Sequence, residues 1–382
     1  MWRIVISLIF ILFIIVSLSA VSSHLMAGEQ EKLPESIAVS VRPDMTVAQF
    51  GNEHNLDRKV LKKIFDLQSQ NDVRRPVADF GMNNELLNKK VNQILAIQAE
   101  HASKNWKKIL VKGGLWIVFL TAVFIKLRKG TVTAKNRKWI YIAALSIFGI
   151  ILGSDPSPMG TVKDAVVLFG SKGTVFPPRL IAFGIFTLMV ILANKFICSW
   201  GCQVGTLQDF IFRLNRGPND TKGLFGQIKI PFVITNSIRV IFFLFLVFAA
   251  FAWATDIVES IDPFKIFKPQ AIGIVGGLFI SLILIVSLFV YRPWCHFFCP
   301  FGLFGWLAEK ISIFKIKVNY DKCTSCMACS KACPSTVMDA ILKQDKIIPD
   351  CFSCGTCIQT CPVNAISFEH GKRRKPPAGK FI

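Results

Sequence analysis

The chain has 382 residues, of which 52% are hydrophobic and 12 are cysteine, with a formal net charge of +21. A mean hydropathy of +0.48 is too high for a water-soluble chain of this length and predicts several membrane spans. Nucleic acid is excluded as the reason for the positive charge, because the excess lies in short loops beside apolar runs, where lipid headgroups and topology account for it.

Residues 1–27 hold the first apolar run, at about 4–20. It follows Trp2 and Arg3 and ends in small residues, so it reads as a signal peptide or an N-terminal anchor; both place the next segment outside. Residues 28–107 form a polar, cysteine-free extracytoplasmic helical module. Thr46 is placed to cap a helix through about His54, and Asp57 to cap a second carrying Val60, Leu61, Ile64, Phe65 and Leu67 at helical spacing. A third helix starts near Asn84 with a stripe of Leu87, Val91, Ile94 and Leu95. It is predicted to run almost unbroken into the next apolar run, 109–125.

Residues 108–137 comprise that span and a basic loop with Lys126, Arg128, Lys129, Lys135 and Arg137, continued by Lys138. Residues 138–313 are predicted to form a four-helix membrane core from apolar runs at 138–153, 179–197, 231–254 and 271–291, the first punctuated by Gly149 and Gly153. A second basic loop carries Arg213, Arg216, Lys222 and Lys229, and the 370–382 tail carries Lys372, Arg373, Arg374 and Lys375. The positive-inside rule puts these loops and the tail in the cytoplasm. The expected location is a bacterial cytoplasmic (inner) membrane. All 12 cysteines then fall on the reducing side, where thiols stay free for metal.

The core contains a weak internal repeat. One span ends in Cys198-Ser-Trp-Gly-Cys202-Gln203, and a later one in Cys295-His-Phe-Phe-Cys299-Pro300. An amphipathic stretch follows each: Leu207, Phe210, Ile211 and Leu214 line one, and Leu303, Trp306, Leu307 and Ile311 the other. Both are expected to lie in the cytoplasmic interface with apolar faces down. Cysteines four apart on a helix share a face, so each pair could form a redox couple or half of a metal site. Cys198, Cys202, Cys295 and Cys299 are therefore the candidate catalytic residues. A cluster, a soft metal, a redox-active thiol set and four buried small hydrophobes all stay open as readings of them. His296 is a candidate extra ligand or a hydrogen-bonding residue.

Residues 314–369 carry the strongest signal. Cys323-x-x-Cys326-x-x-Cys329-x-x-x-Cys333-Pro334 is followed by Cys351-x-x-Cys354-x-x-Cys357-x-x-x-Cys361-Pro362. Three cysteines at two-residue gaps wrap one loop around three irons of a 4Fe–4S cube, and the fourth reaches the other cluster. One cluster then takes Cys323, Cys326, Cys329 and Cys361, and the other Cys351, Cys354, Cys357 and Cys333. Zinc also binds four cysteines, but it does not require this third cysteine and Cys-Pro ending, repeated. Short strands are predicted at Ala340–Leu342, Lys346–Ile348 and Val363–Phe368. The chain has no mid-span histidine for haem, no Cys-x-x-Cys-His and no Gly-x-Gly-x-x-Gly nicotinamide fingerprint.

A multi-span core, two Cys-x-x-x-Cys motifs at span ends and a double ferredoxin motif resemble the NapH type of ferredoxin-like membrane protein, a quinol dehydrogenase subunit. The membrane part of the nitrous oxide reductase maturation protein NosR looks similar, as does the copper-reducing assembly factor of cbb3-type oxidases. The likeness covers about 138–370. Cys295, Cys299 and Pro300 match a Cys-x-x-x-Cys-Pro motif, whereas Gln203 replaces the proline in the first copy. The 1–137 extension has no counterpart in the basic NapH pattern, and flavin-attachment and β-sandwich extras are not seen. The resemblance implies an α-helical multi-span membrane protein with a small C-terminal α+β ferredoxin-like domain. It implies electron exchange between the quinone pool, two 4Fe–4S clusters and other redox protein subunits. A quinone and a further metal centre at the Cys-x-x-x-Cys pairs are candidate cofactors. The alternatives are a metal-handling, copper-reducing assembly factor and a redox-sensing membrane regulator.

Overall fold

The computed structural model describes residues 2–25, 39–42, 44–217, 223 and 225–381. Lys222 of the second basic loop and the start of the 28–107 module lie outside the described residues. Helices dominate, and the one sheet among the described residues has two strands.

Three described helices are long and apolar enough to cross a membrane: Trp2–Ser22, Trp106–Arg128 and Phe232–Ala252. Pro177–Ala193 and Ile274–Val286 are apolar but shorter. The 138–153 run is not one regular helix. Ala134–Ala144 is α-helical, and Leu145–Ile151 then widens into a π-helical stretch. Gly149 lies in that stretch against Phe267: a Cβ there would sit 2.5 Å from the ring. Ile117, Val118, Ile241, Leu244, Ile274 and Leu278 are between 60% and 86% exposed on the outer helix faces. Apolar exposure on this scale suits lipid rather than water.

The Trp2–Leu25 helix is packed into the fold. It lies along Leu145–Ile151 and Pro263–Phe267 and contributes Ile4, Leu8 and Ile15 to the main apolar core.

The polar module before the Trp106–Arg128 helix has a core of its own, built from Val47, Phe50, Leu61, Ile64, Phe65, Leu87 and Val91. Val47–Glu53 begins with a capping box between Thr46 and Gln49. Asp57 precedes Arg58–Phe65, but its side chain makes no capping bond. The third helix, Asn84–Ala102, does not continue into the span as expected. The chain breaks at Ser103–Asn105, and Asn105 Oδ1 accepts from Lys108 N at 3.1 Å to start a new helix. This third helix is tied to the core by Arg179, whose Nε donates to Glu100 at 2.9 Å. Gln93 Nε2 adds a bond to Gly173 O at 2.9 Å.

In the C-terminal domain, Phe314–Val318 pairs antiparallel with Ile366–His370, Ile316 facing Phe368. The second strand overlaps the one expected at Val363–Phe368; the other two expected strands do not form. Ala340–Leu342 belongs to the helix Val337–Lys343, and Lys346–Ile348 is irregular. Val337, Met338, Ile341 and Leu342 are all buried, a helical spacing that a short apolar run does not distinguish from a strand.

Candidate iron–sulfur and thiol sites

The eight cysteines of the C-terminal domain surround two cavities. One, with about 340 Å³ of empty space, is lined by Cys323, Cys326, Cys329 and Cys361. The other, about 400 Å³, is lined by Cys333, Cys351, Cys354 and Cys357. Each cavity takes three cysteines from one run and the fourth from the other. The thiols ring a volume, which fits a cluster.

The two cysteine loops repeat one backbone conformation. Ser325 and Ser353, each just before the second cysteine, are left-handed, with φ of 57° and 48°. Met327 and Gly355, each just after it, are left-handed at 57° and 77°. Such turns point successive N–H groups inward and form nests that suit anionic centres, Fe–S clusters among them. Gly355 has a second reason to be glycine: a Cβ there would lie 2.8 Å from Leu127 Cδ1. A short helix then carries the third cysteine, Cys329 in Ala328–Ala332 and Cys357 in Thr356–Gln359. Burial pushes the Cys329 thiol up to about 11 and Cys351 to about 12, and Cys357 is also raised by burial. Without iron these thiols stay neutral; bound metal is what makes them thiolates.

The second loop is sunk into the helical core. Asp350 is fully buried between Lys195 Nζ at 2.6 Å and Arg239 Nη1 at 2.7 Å. Burial alone would raise its carboxyl, but the two cations outweigh it and hold it below the usual range. Glu309 accepts the Cys351 N–H at 3.0 Å; burial first and Asp350 second raise it to about 8. Arg213 donates to Thr356 Oγ1 at 3.2 Å, and Trp200 Nε1 to Ser353 O at 3.3 Å. The Phe352 ring lies between Arg292 at 4.7 Å and Lys195 at 5.5 Å. The first cavity is more peripheral, and its Cys326 is exposed.

The Cys-x-x-x-Cys pairs differ from expectation. Each helix breaks inside its motif, so the two cysteines do not share one helical face. Phe196–Trp200 ends before Cys202, which starts Gln203–Leu214; Pro293–Phe297 ends before Cys299, which starts Pro300–Glu309. The breaks are equivalent: Cys202 N donates to Ile197 O at 2.8 Å, and Cys299 N to Trp294 O at 3.0 Å. The following helices do not both rest on an interface. Gln203–Phe212 is buried on every side, whereas Leu307 and Ile311 of the second copy are exposed.

The repeat extends to its supports. Lys195 and Arg292 each stand three residues before a first cysteine, and each crosses to the other motif. Lys195 Nζ donates to Gly302 O at 2.7 Å, and Arg292 Nη1 to Cys198 O at 2.7 Å. Arg292 also pairs with buried Asp209 at 2.6 Å, which accepts from Tyr141 and Tyr291 hydroxyls at 2.8 and 3.0 Å. Burial raises all four core thiols, Cys299 to about 12. Cys295 Sγ lies 3.8 Å from Gln208 Oε1. His296 is a hydrogen-bonding residue, its Nδ1 facing Tyr291 O at 2.9 Å and Arg292 O at 3.2 Å.

Comparison with known proteins separates the two cysteine systems in the same way. A model described as a 4Fe-4S dicluster domain matches residues 315–362. A second, described as a 4Fe-4S binding domain, matches 175–219 and again 272–319, the two copies of the internal repeat. The putative electron transport protein YccM of Escherichia coli is 28% identical over 227 residues, 55% of this chain and 60% of that protein. The ferredoxin-type protein NapH of Haemophilus influenzae is 29% identical over 193 residues, 47% of this chain and 63% of that protein. The chain is similar to the NapH-type ferredoxin-like 4Fe–4S proteins. It thus spans under two thirds of the length of these two relatives. A ferredoxin of Methanothermococcus thermolithotrophicus is 34% identical over 58 residues, 14% of this chain and 93% of that protein. No solved structure matches.

Sequence reasoning missed the buried charges that seat the second loop. Arg239 was the accessible signal: an arginine inside the apolar run 231–254 demands a partner. Lys195 and Arg292, at matching offsets from the repeated motifs, were a second. Asp350 and Phe352 flank Cys351 in a soluble-looking loop and gave none.

Proposed function

We propose that the protein is a membrane-bound electron-transfer protein that passes electrons from the quinone pool through two cytoplasmic 4Fe–4S clusters to a redox partner. One cluster would be held by Cys323, Cys326, Cys329 and Cys361, and the other by Cys333, Cys351, Cys354 and Cys357. The observation that carries this reading is the unequal burial of the two cavities. The Cys351–Cys357 loop is sunk among the core helices, while Cys326 of the other cavity is exposed. The first is an inner position facing the membrane side, and the second an outer position facing a partner. Clusters held by these residues would supply one-electron redox chemistry, so that oxidation of one quinol would release its two protons to water and its two electrons one to each cluster. Lys195, Arg239 and Arg292 supply positive charge beside the inner position, which favours the added electron.

The chain purified anaerobically in detergent should hold about eight irons. Menadiol should bleach its visible absorbance as dithionite does. A protein that binds zinc in place of iron, or whose clusters dithionite reduces and menadiol does not, overturns the reading. Cys361→Ser should deplete the cluster of the first run, although Cys361 belongs to the second.

A further inference from the structure

Five buried cations reach the second cysteine loop. Lys195 and Arg239 hold Asp350 at 2.6 and 2.7 Å. Arg292 lies over the Phe352 ring at 4.7 Å, and Arg213 donates to Thr356 Oγ1 at 3.2 Å. Arg137 Nη2 comes within 3.9 Å of the point where a Cβ on Gly355 would stand. Three buried carboxylates stand among these cations. Asp350 is one; Asp209 pairs with Arg213 and Arg292, and Glu309 accepts the Cys351 N–H. All eight residues are buried. Even with every carboxylate ionised, five cations against three carboxylates leave an excess of positive charge. Buried charge is costly unless an opposite charge offsets it. Arg239 Nε and Arg292 Nε also find no acceptor among the described residues. The surroundings of the Cys333, Cys351, Cys354 and Cys357 cavity therefore favour an anionic occupant, and favour it more with each negative charge it gains.

The outer position has no such setting. No Asp, Glu, Lys or Arg among the described residues lines the Cys323, Cys326, Cys329 and Cys361 cavity. Beside that first run, Arg374 and Asp321 form an ion pair, with side chains 75% and 83% exposed. Water and salt screen such charges. At the inner position two effects oppose each other. Burial disfavours an added charge. The cation excess favours it, and the excess prevails because buried charges are screened least.

We propose that the inner position takes the first electron and holds it, with Lys195 and Arg239 setting its potential and Asp350 as the opposing charge. Reduction here adds one electron and no proton, so its free energy follows the charges around the cavity. The electron comes from quinol under the reading above, or from dithionite in the test. The proposal rests on the two-cluster reading and adds the order in which the positions fill.

The test is an anaerobic potentiometric titration of the full iron-loaded chain in detergent, followed by electron paramagnetic resonance. Two one-electron steps are expected. Cys361→Ser, which depletes the outer cluster, should leave the higher-potential step. Arg239→Gln and Lys195→Met should each lower that step by at least a tenfold change in the reduced-to-oxidised ratio, about 59 mV for one electron. Arg239→Lys, which keeps the charge, should hold it near its original place. Asp350→Asn should raise it. The lower step should stay where it is in all four. Loosening of the loop alone would move Arg239→Gln and Asp350→Asn in the same direction, so opposite signs separate tuning from structure. Iron content measured on each variant shows that both clusters are kept. Survival of the lower-potential step in Cys361→Ser overturns the order without touching a buried charge. Shifts of one sign in Arg239→Gln and Asp350→Asn, or none, overturn the tuning. Either result leaves the two-cluster reading standing, whereas an unmodified protein without iron overturns that reading and the proposal together.

Discussion

Asp350 and Lys195 meet at 2.6 Å, 155 residues apart in the chain and with both side chains fully buried. Arg239 closes the group at 2.7 Å. The carboxylate immediately before Cys351 is thus the counter-charge of two cations from the core. Removing one partner of such a group leaves buried charge uncompensated, at about 3–5 kcal/mol. Asp350→Asn should lower stability by that order and loosen the second cysteine loop first. Thermal melts followed by visible absorbance, with iron content before heating, check this. An unchanged melt would mean the loop is seated by its apolar contacts alone.

Gly205 and Gly302 are equivalent in the repeat. A Cβ on Gly205 would lie 2.4 Å from Cys198 O and 3.1 Å from Arg292 Nη1. On Gly302 it would lie 2.8 Å from Cys295 O and 3.2 Å from Arg239 Nη1. Both glycines let a helix approach a carbonyl that a buried arginine also grips. Gly205→Ala should cost about 1–3 kcal/mol through overpacking, and Gly302→Ala less. Gly113→Ala is the control: nothing lies within 4 Å of its Cβ position, and alanine suits a helix interior by roughly 0.5–1 kcal/mol. Melts of the three variants should rank in that order, and equal melts for Gly205→Ala and Gly113→Ala would contradict the packing argument.

Lys163 is caged by carboxylates: Asp256 at 2.8 Å, Asp164 at 3.1 Å, Glu259 at 3.3 Å and Asp262 at 3.9 Å. Burial alone would lower this lysine, but Asp262, Asp256 and Glu259 outweigh it and raise it above its ordinary value. Its contribution is complete below the unfolded value of about 10.4 and fades as pH rises through the higher folded value. Burial holds Asp262 up at about 6 even with the lysine present. Lys163→Met should destabilise strongly at pH 7, where the cage is left as bare negative charge. The gap from the unmodified protein should narrow toward pH 5 as carboxylates take up protons. Melts at the two pH values decide it; a gap that widens in acid would reverse the assignment.

The sequence was most informative where chemistry fixes spacing. The two cysteine runs made the domain legible, and the structure gathers Cys361 with the first run's cysteines and Cys333 with the second's. Repeated motifs at Cys198 and Cys295 likewise marked two matching segments, each matched by the same family model. Local periodicity failed where tertiary packing decides. Gln203–Leu214 has an apolar stripe, yet its polar face is buried too, because Asp209 and Arg213 pair inside the core. Ala340–Leu342 is too short for its period to separate strand from helix. The break after Ala102 turned on Asn105 as a cap, a signal easily overlooked between two helical patterns. The crossing of Lys195 and Arg292 depends on two distant segments meeting, which no single window contains.

The strand that opens the C-terminal domain begins where the core ends. Ile313 N donates to Ile191 O at 2.7 Å, Gly371 N returns to Ile313 O at 3.1 Å, and Ser312 Oγ bonds Asn194. Together with the buried Asp350 group, this fastens the domain at both of its ends and in its middle. It is a fixed socket and not a swinging arm. Under the electron-transfer role proposed above, delivery to a diffusing acceptor would scale with acceptor concentration and not with any internal excursion of the domain.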